Sequence, residues 1–320
     1  MKEFDFKNTD WSLIRQALSF SLLKNESVLL KGAFDSIATL DWITPIYSDL
    51  KQVVIESGFG ILTEIDGDIA FKPEQPGHST FYISAGKFTP LSEIELFLLP
   101  YLFKEKFRSV ILFQGVTHSH ISYSSTFLKE TLFGLLEKIG YYSSMNLKRF
   151  GFYGSGQGVA ESRIYPAEPY AADNIFQFKH KRIEGVKILV AGMNMEIAER
   201  EKDFVKRNIA VDESRISILE IIDANGFGNS IQVYFSCDDI NFIISRDMEF
   251  YNSNGDFIFD ENAYYRSLSD LADKCSLFLK NDTVPFSIQK EMLPYLYMTE
   301  SAISQELKET PLFNICERML

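Results

Sequence analysis

Gly115–Val116–Thr117–His118 and Gly151–Phe152–Tyr153–Gly154–Ser155–Gly156–Gln157–Gly158 are the two stretches that decide the fold. The first closes a strand-like run, Ser109–Gln114, and the second is a glycine-rich turn. Between them, Ser125–Ile139 spaces its apolar residues as a helix that Gly140 stops. Lys148–Tyr153 and Val159–Tyr165 read as a strand pair across the turn.

Working outward, the same grammar recurs. Trp11–Leu23 carries helical apolar spacing with Asp10 placed as N-cap, and Val28–Gly32 is a strand. A helix follows over Thr44–Ser57 and stops at Gly58. Gly60–Ile65 and Asp68–Lys72 form a hairpin through Asp66–Gly67. Thr80–Ser84 is a strand and Ser92–Phe103 a helix. The recurrence predicts a repeated α+β unit with a period of roughly 70–90 residues.

From Glu184 the pattern changes. Gly185–Ala191 is a strand, Met195–Asn208 a charged helix, and Arg215–Asp223, Ser230–Ser236 and Asn241–Ser245 are strands. This stretch reads as a small inserted α/β domain over residues 184–259. Residues 1–183 plus 260–320 form the larger domain, with helices at Glu261–Lys280 and Ser287–Met298 and a terminal strand or helix within Thr310–Leu320.

Composition narrows the function. The chain has 320 residues, 46% of them hydrophobic, with 28 Phe and 15 Tyr. That length buries roughly three quarters of the unfolded surface, and the aromatics favour sheet. A net charge of −12 argues against broad contact with a phosphate backbone, though not against one pocket for a strand end. Cys237, Cys275 and Cys316 lack metal or disulfide spacing, as expected in a reducing compartment. No apolar run reaches the ~18 residues of a membrane span, and Met1–Asp10 has no signal-peptide core. The expectation is a cytoplasmic protein without membrane contact.

In order and spacing these segments resemble the RNA 3'-terminal phosphate cyclase family, which has GGTH, a long helix and a GFYPRGGG-like segment in sequence. Ile14–Arg15 with Ala17 and Ser21, Ile69–Pro73, Leu98–Pro100, Gly226–Gly228 and Met292–Pro294 match further family segments. The resemblance implies an α+β fold of repeated two-helix, four-stranded-sheet units, cyclase/enolpyruvyl-transferase-like, with a small α/β insert. It also implies a chemistry. A histidine attacks the α-phosphate of ATP with magnesium present, and the adenylate passes to an RNA 3'-phosphate that cyclises. Such activation needs a nucleophile, a cation and a positively charged clamp.

The sequence departs from that pattern at four places. Where the family has GEGGGQ, this chain has Lys7–Asn8–Thr9–Asp10–Trp11–Ser12, losing the glycines that let backbone approach phosphate. No arginine occurs between Arg15 and Arg108, so the guanidinium clamp is missing. The family's catalytic histidine, four residues before Asn-Ile, falls on Thr310, and no histidine follows His180. The family's Asp-Gln before LLLP becomes Gln289–Lys290.

The candidate ligand residues carried over from the family are Arg15, Thr117, His118, Gly156, Gly158, Gln289 and Asn314, with Thr310 at the nucleophile position. His118 and His120 share a strand face, but no third ligand follows at short spacing; a polar loop pair is the commoner reading, and no metal is assigned. Thr117 and His118 read equally well as turn-stabilising groups. Gly154–Gly158 leads into a strand and reads as a tight turn before a phosphate cradle. The basic cluster Lys179–Arg182 reads as a solvated linker or an RNA grip. The expectation is a binding module for an RNA end, a nucleotide or a protein, without histidine-adenylate chemistry. The alternatives are an RNA-end enzyme of altered mechanism, with ATP and magnesium if the family activity persists, and a distant enolpyruvyl-transferase-like activity that the missing arginines disfavour.

Overall fold

The computed structural model describes residues 1–238, 240–252, 255–299 and 301–319. Strands β1 (Lys2–Asp5), β2 (Val28–Lys31), β3 (Gly60–Ile65) and β4 (Asp68–Pro73) form a sheet in the order β1-β2-β4-β3. Helices α1 (Trp11–Lys24), α2 (Ala33–Ala38) and α3 (Ile43–Glu56) belong to the same stretch of chain. Strands β5 (Thr80–Ser84), β6 (Ser109–Gly115), β7 (Ser143–Arg149) and β8 (Gly158–Ile164) repeat that wiring as β5-β6-β8-β7. Helix α4 (Leu91–Lys104) precedes β6, and α5 (Ser125–Phe127), a π-helical turn (Leu128–Leu132) and α6 (Phe133–Glu137) follow it. In each sheet the first two strands are parallel and the rest antiparallel. The expected repeat is therefore present in topology.

The third sheet is wired differently. Its strands are β9 (Lys181–Ala191), β10 (Ile216–Glu220), β11 (Gly228–Cys237) and β12 (Ile240–Asp247), in the order β10-β9-β11-β12. Here the first strand in sequence is central and the second is at the edge. Helix α7 (Glu196–Asn208) lies between β9 and β10, and α8 (Glu261–Lys280) packs against β12. The chain ends in α9 (Phe286–Met298), α10 (Gln305–Lys308) and α11 (Pro311–Arg318), so the terminal segment is a helix. Leu320 lies outside the described residues.

Helices α1 and α4 pack against each other at the centre of the core, and Ser19 Oγ donates to the Phe97 carbonyl at 2.7 Å. Asp10 caps α1, accepting from Leu13 N–H at 2.9 Å. On α4, Glu95 is wholly buried, and burial pushes its carboxyl up to about 8, only partly offset by the Ser162 hydroxyl. Cys237, Cys275 and Cys316 are free and buried, and burial pushes each thiol up to about 12. Among the described residues, no helix is long and apolar enough to cross a membrane.

Two expectations need correction. The strand expected at Lys148–Tyr153 is β7, Ser143–Arg149, and Phe150–Tyr153 leaves the ladder. Gly151 explains the departure. A Cβ there would sit 2.2 Å from Gly158 N and 2.5 Å from the Gly115 carbonyl, so the backbones meet too closely for a side chain. The basic cluster is not a linker, because β9 starts at Lys181. Lys181 donates to the Phe278 carbonyl at 2.9 Å, with its ammonium 4.3 Å from the Phe278 ring centroid.

Candidate ligand-binding cleft

The two deciding stretches meet in space. Thr117 and His118 N–H both donate to the Gly151 carbonyl, at 2.7 and 3.0 Å, and Tyr153 N–H donates to the His118 carbonyl at 3.1 Å. The Thr117 hydroxyl donates to the Gly151 carbonyl at 3.1 Å and accepts from Gly151 N–H at 2.9 Å. With its proton committed, it accepts from His118 Nδ1–H at 2.9 Å. That leaves His118 Nε2 as acceptor for Thr126 Oγ1 at 3.0 Å and for Gln232 Nε2 on β11 at 3.1 Å. His118 is 1% exposed, and burial lowers its pKa to about 3. It is a neutral joint between the second and third sheets. Gly156 N–H is likewise engaged, donating to the Phe152 carbonyl at 2.8 Å, and a Cβ at Gly158 would lie 2.6 Å from Thr117 Cγ2.

The large concavity lies beside this joint. A cleft of about 890 Å³ is lined by the start of α1, the 119–123 loop, β12, the end of α8 and residues 283–291. Arg15 and Gln289 line it; Thr117, His118, Gly156, Gly158 and Asn314 do not. Thr310 lines a smaller pocket of about 350 Å³ that shares Asp10, Ser12, Phe286, Lys290 and Glu306 with the cleft.

Arg15 is 2% exposed and held by two carboxylates: Nε is 2.9 Å from Glu93 Oε2, and Nη2 is 2.6 Å from Glu291 Oε1. Burial alone would lower its pKa, but Glu291 and Glu93 outweigh that and raise it. Both acids have further donors. Trp11 Nε1 donates to Glu93 Oε2 at 2.8 Å, Ser122 Oγ donates to Glu93 Oε1, and Gln16 Nε2 donates to Glu291 Oε2 at 3.0 Å. The one cation at the family's position is therefore neutralised inside the protein. Trp11, 3% exposed, occupies the start of α1 where the family has glycine.

Thr310 is engaged too. Its hydroxyl donates to the Leu307 carbonyl at 2.6 Å and accepts from Phe313 N–H at 3.3 Å as the N-cap of α11. Thr310→Ala is expected to lower stability by about 1 kcal/mol through the lost cap, read in urea denaturation. Gln289 Nε2 donates to the Val284 carbonyl at 2.7 Å, and Asn314 is exposed on α11.

A family model described as RNA 3'-terminal phosphate cyclase matches residues 60–310. The chain belongs to the RNA 3'-terminal phosphate cyclase family. It is 24% identical over 145 residues to the RNA 3'-terminal phosphate cyclase of Pseudomonas aeruginosa strain LESB58, covering 45% of this chain and 42% of that protein. It is 25% identical over 168 residues to the RNA 3'-terminal phosphate cyclase of Koribacter versatilis strain Ellin345, covering 52% of this chain and 46% of that one. The matched region thus spans less than half the length of these curated relatives.

For a cyclase-family cleft, this lining does not fit a magnesium-bound triphosphate. Four cations (Arg15, Arg246, Lys274, Lys290) face five acids (Asp10, Glu93, Asp247, Glu291, Glu306). Arg15 is neutralised, and Lys274 pairs with Asp270 at 2.8 Å. Among the described residues, no group of three or more His, Cys, Asp or Glu is placed to hold a metal ion.

The residues that sequence reading missed lie mostly in β12. Asp247 is 5% exposed, and burial pushes its carboxyl up to about 7, against the Ser230 hydroxyl, Ser119 N–H and the Arg246 charge. His120 lines the cleft as well. Burial first, and Arg246 second, lower its pKa to about 4, so it is neutral at pH 7. Arg246 brings a guanidinium into the cleft from the third sheet, with Nε donating to Ser267 Oγ. The sequence singles out His120 beside His118, but no motif marks Arg246 and Asp247; only the strand's place in the cleft wall makes them part of a site.

Proposed function

We propose that this cyclase-family chain is a binding module for an RNA end, a nucleotide or a protein, and that it does not form a histidine adenylate. The observation that carries this reading is the double engagement of Arg15. A buried guanidinium ion-paired with both Glu93 and Glu291 has its charge offset before any phosphate arrives. The commitment of the Thr310 hydroxyl to helix capping supports the same conclusion. We take residues 184–259, which hold most of the differently wired sheet, as an inserted domain. We place the protein in the cytoplasm on its free buried thiols.

The experiment is incubation with α-labelled ATP, magnesium and a 3'-phosphorylated oligoribonucleotide, followed by denaturing electrophoresis. The expected result is no label on the protein and an unchanged RNA terminus. Label retained on the denatured chain would overturn the reading. A cyclised RNA end without protein label would replace it with an enzyme of altered mechanism.

A further inference from the structure

The cleft is lined by six consecutive residues of β12, Phe242 through Asp247. Successive strand side chains point to opposite faces, so six in a row at one cavity means that the strand presents its edge. Among the described residues, β12 is the outermost strand of its sheet and pairs only with β11. One hydrogen bond fixes which main-chain groups face outward. Ile243 N–H donates to Thr131 Oγ1 at 2.9 Å, away from β11. The Ile243–Tyr234 pair is therefore a non-hydrogen-bonded pair of the antiparallel ladder. The register runs unbroken from Ile240 to Asp247, so Ser245–Gln232 and Asp247–Ser230 are of the same kind. The N–H and C=O groups of Ser245 and Asp247 thus point away from β11.

The rest of the edge is protected. The helical stretch from Ser125 to Glu137 packs along β12, with Thr131 capping Ile243, as natural sheets cover their edges. Among the described residues, the outward N–H and C=O groups of Ser245 and Asp247 carry no hydrogen bond. Two buried polar atoms on residues that line the cleft likewise have no hydrogen-bond partner among the described residues, Asp247 Oδ1 and His120 Nδ1. Buried polar atoms are normally paired.

The geometry points to an extended peptide segment bearing a basic side chain, which adds a strand to the open edge of β12 at Ser245–Asp247 and sets that side chain against Asp247. This deepens, and rests on, the reading of the chain as a binding module. A peptide supplies alternating N–H and C=O groups at strand spacing, which is what an exposed edge accepts. Nucleic acid offers no such ladder, and a lining of four cations against five acids gives it no basic footprint. The apolar walls, including Phe242, Phe278 and Phe286, suit the alternate side chains of such a segment.

The chain's two tryptophans, Trp11 and Trp42, both line the cleft, so their emission reports occupancy. The test pans phage-displayed random dodecapeptides against the full chain, then titrates the recovered peptides as synthetic ligands. Enrichment of peptides with Arg or Lys and saturable change in tryptophan emission are expected. N-methylation of the peptide backbone should weaken binding at least tenfold at alternate positions and leave the intervening ones unchanged. Asp247→Asn should weaken basic peptides about fivefold. Ser245→Pro, which removes an outward N–H that an edge position can spare, should lose binding; if that variant does not fold, the methylation scan decides alone. No enrichment, or binding without the alternating pattern, would overturn the proposal. So would a saturable response to a 3'-phosphorylated oligoribonucleotide that survives Asp247→Asn, and so would a dimer of the chain itself that Ser245→Pro dissociates. None of these outcomes bears on adenylylation, which only the covalent-label experiment reads.

Discussion

Arg15→Ala is expected to destabilise the protein by about 3–5 kcal/mol, because it leaves two buried carboxylates facing each other without a cation. Glu93 and Glu291 lie 2.9 and 2.6 Å from the guanidinium, and the residue is 2% exposed. The loss would be read as a lowered midpoint in urea denaturation at pH 7. Arg15→Met combined with Glu93→Gln and Glu291→Gln should recover most of it, since replacing a whole buried ionic group is far milder than breaking it. A surviving phosphate clamp would behave oppositely: Arg15→Ala would weaken ATP binding and leave stability almost unchanged. The experiment therefore separates an internal strut from a ligand residue.

Glu95→Gln is expected to stabilise the protein, but only at neutral and alkaline pH. The folded carboxyl titrates near 8 and the unfolded one near 4.5. The folded state therefore keeps a proton that the unfolded state gives up between those values. Stability of the unaltered chain falls as pH rises through that window, and the glutamine variant lacks the slope. At pH 4 the two proteins should unfold together. Above pH 8 the variant should be more stable by an amount on the order of a few kcal/mol. Urea midpoints at pH 4 and 8.5 check this. An equal difference at both pH values would mean that Glu95 is ionised in the fold.

Where the sequence was legible, local chemistry dictated the conformation. Asp66–Gly67 is a hairpin because both residues take positive φ, 49° and 84°, which that dipeptide tolerates. Asp10 starts α1 as its N-cap, and Gly140, at φ 85°, turns the chain after α6 by equally local means. β1 was illegible because Lys2–Asp5 turns only Phe4 inward and pairs only with β2, leaving no alternation to read. β7 was misplaced because Phe150, Phe152 and Tyr153 have strand propensity, whereas the contact that ends the ladder, between Gly151 and Gly115, is tertiary. Arg15 could be found through the family motif, but its partner Glu291 lies 276 residues away, and a buried acid runs against composition-based expectation. Arg246 and Asp247 carry no spacing signal, because a strand's end becomes a site wall only through what it packs against.

The three buried cysteines give the folded protein a built-in silence toward thiol reagents. Alkylation needs the thiolate, and Cys237, Cys275 and Cys316 sit in different parts of the chain with thiols pushed up to about 12. Each sulfur becomes reactive only when its own surroundings open. Cys237 on β11 reports the third sheet, Cys275 reports α8, and Cys316 reports the terminal helix. Pulse labelling with iodoacetamide, resolved by mass spectrometry, would thus clock the opening of three regions separately in one sample.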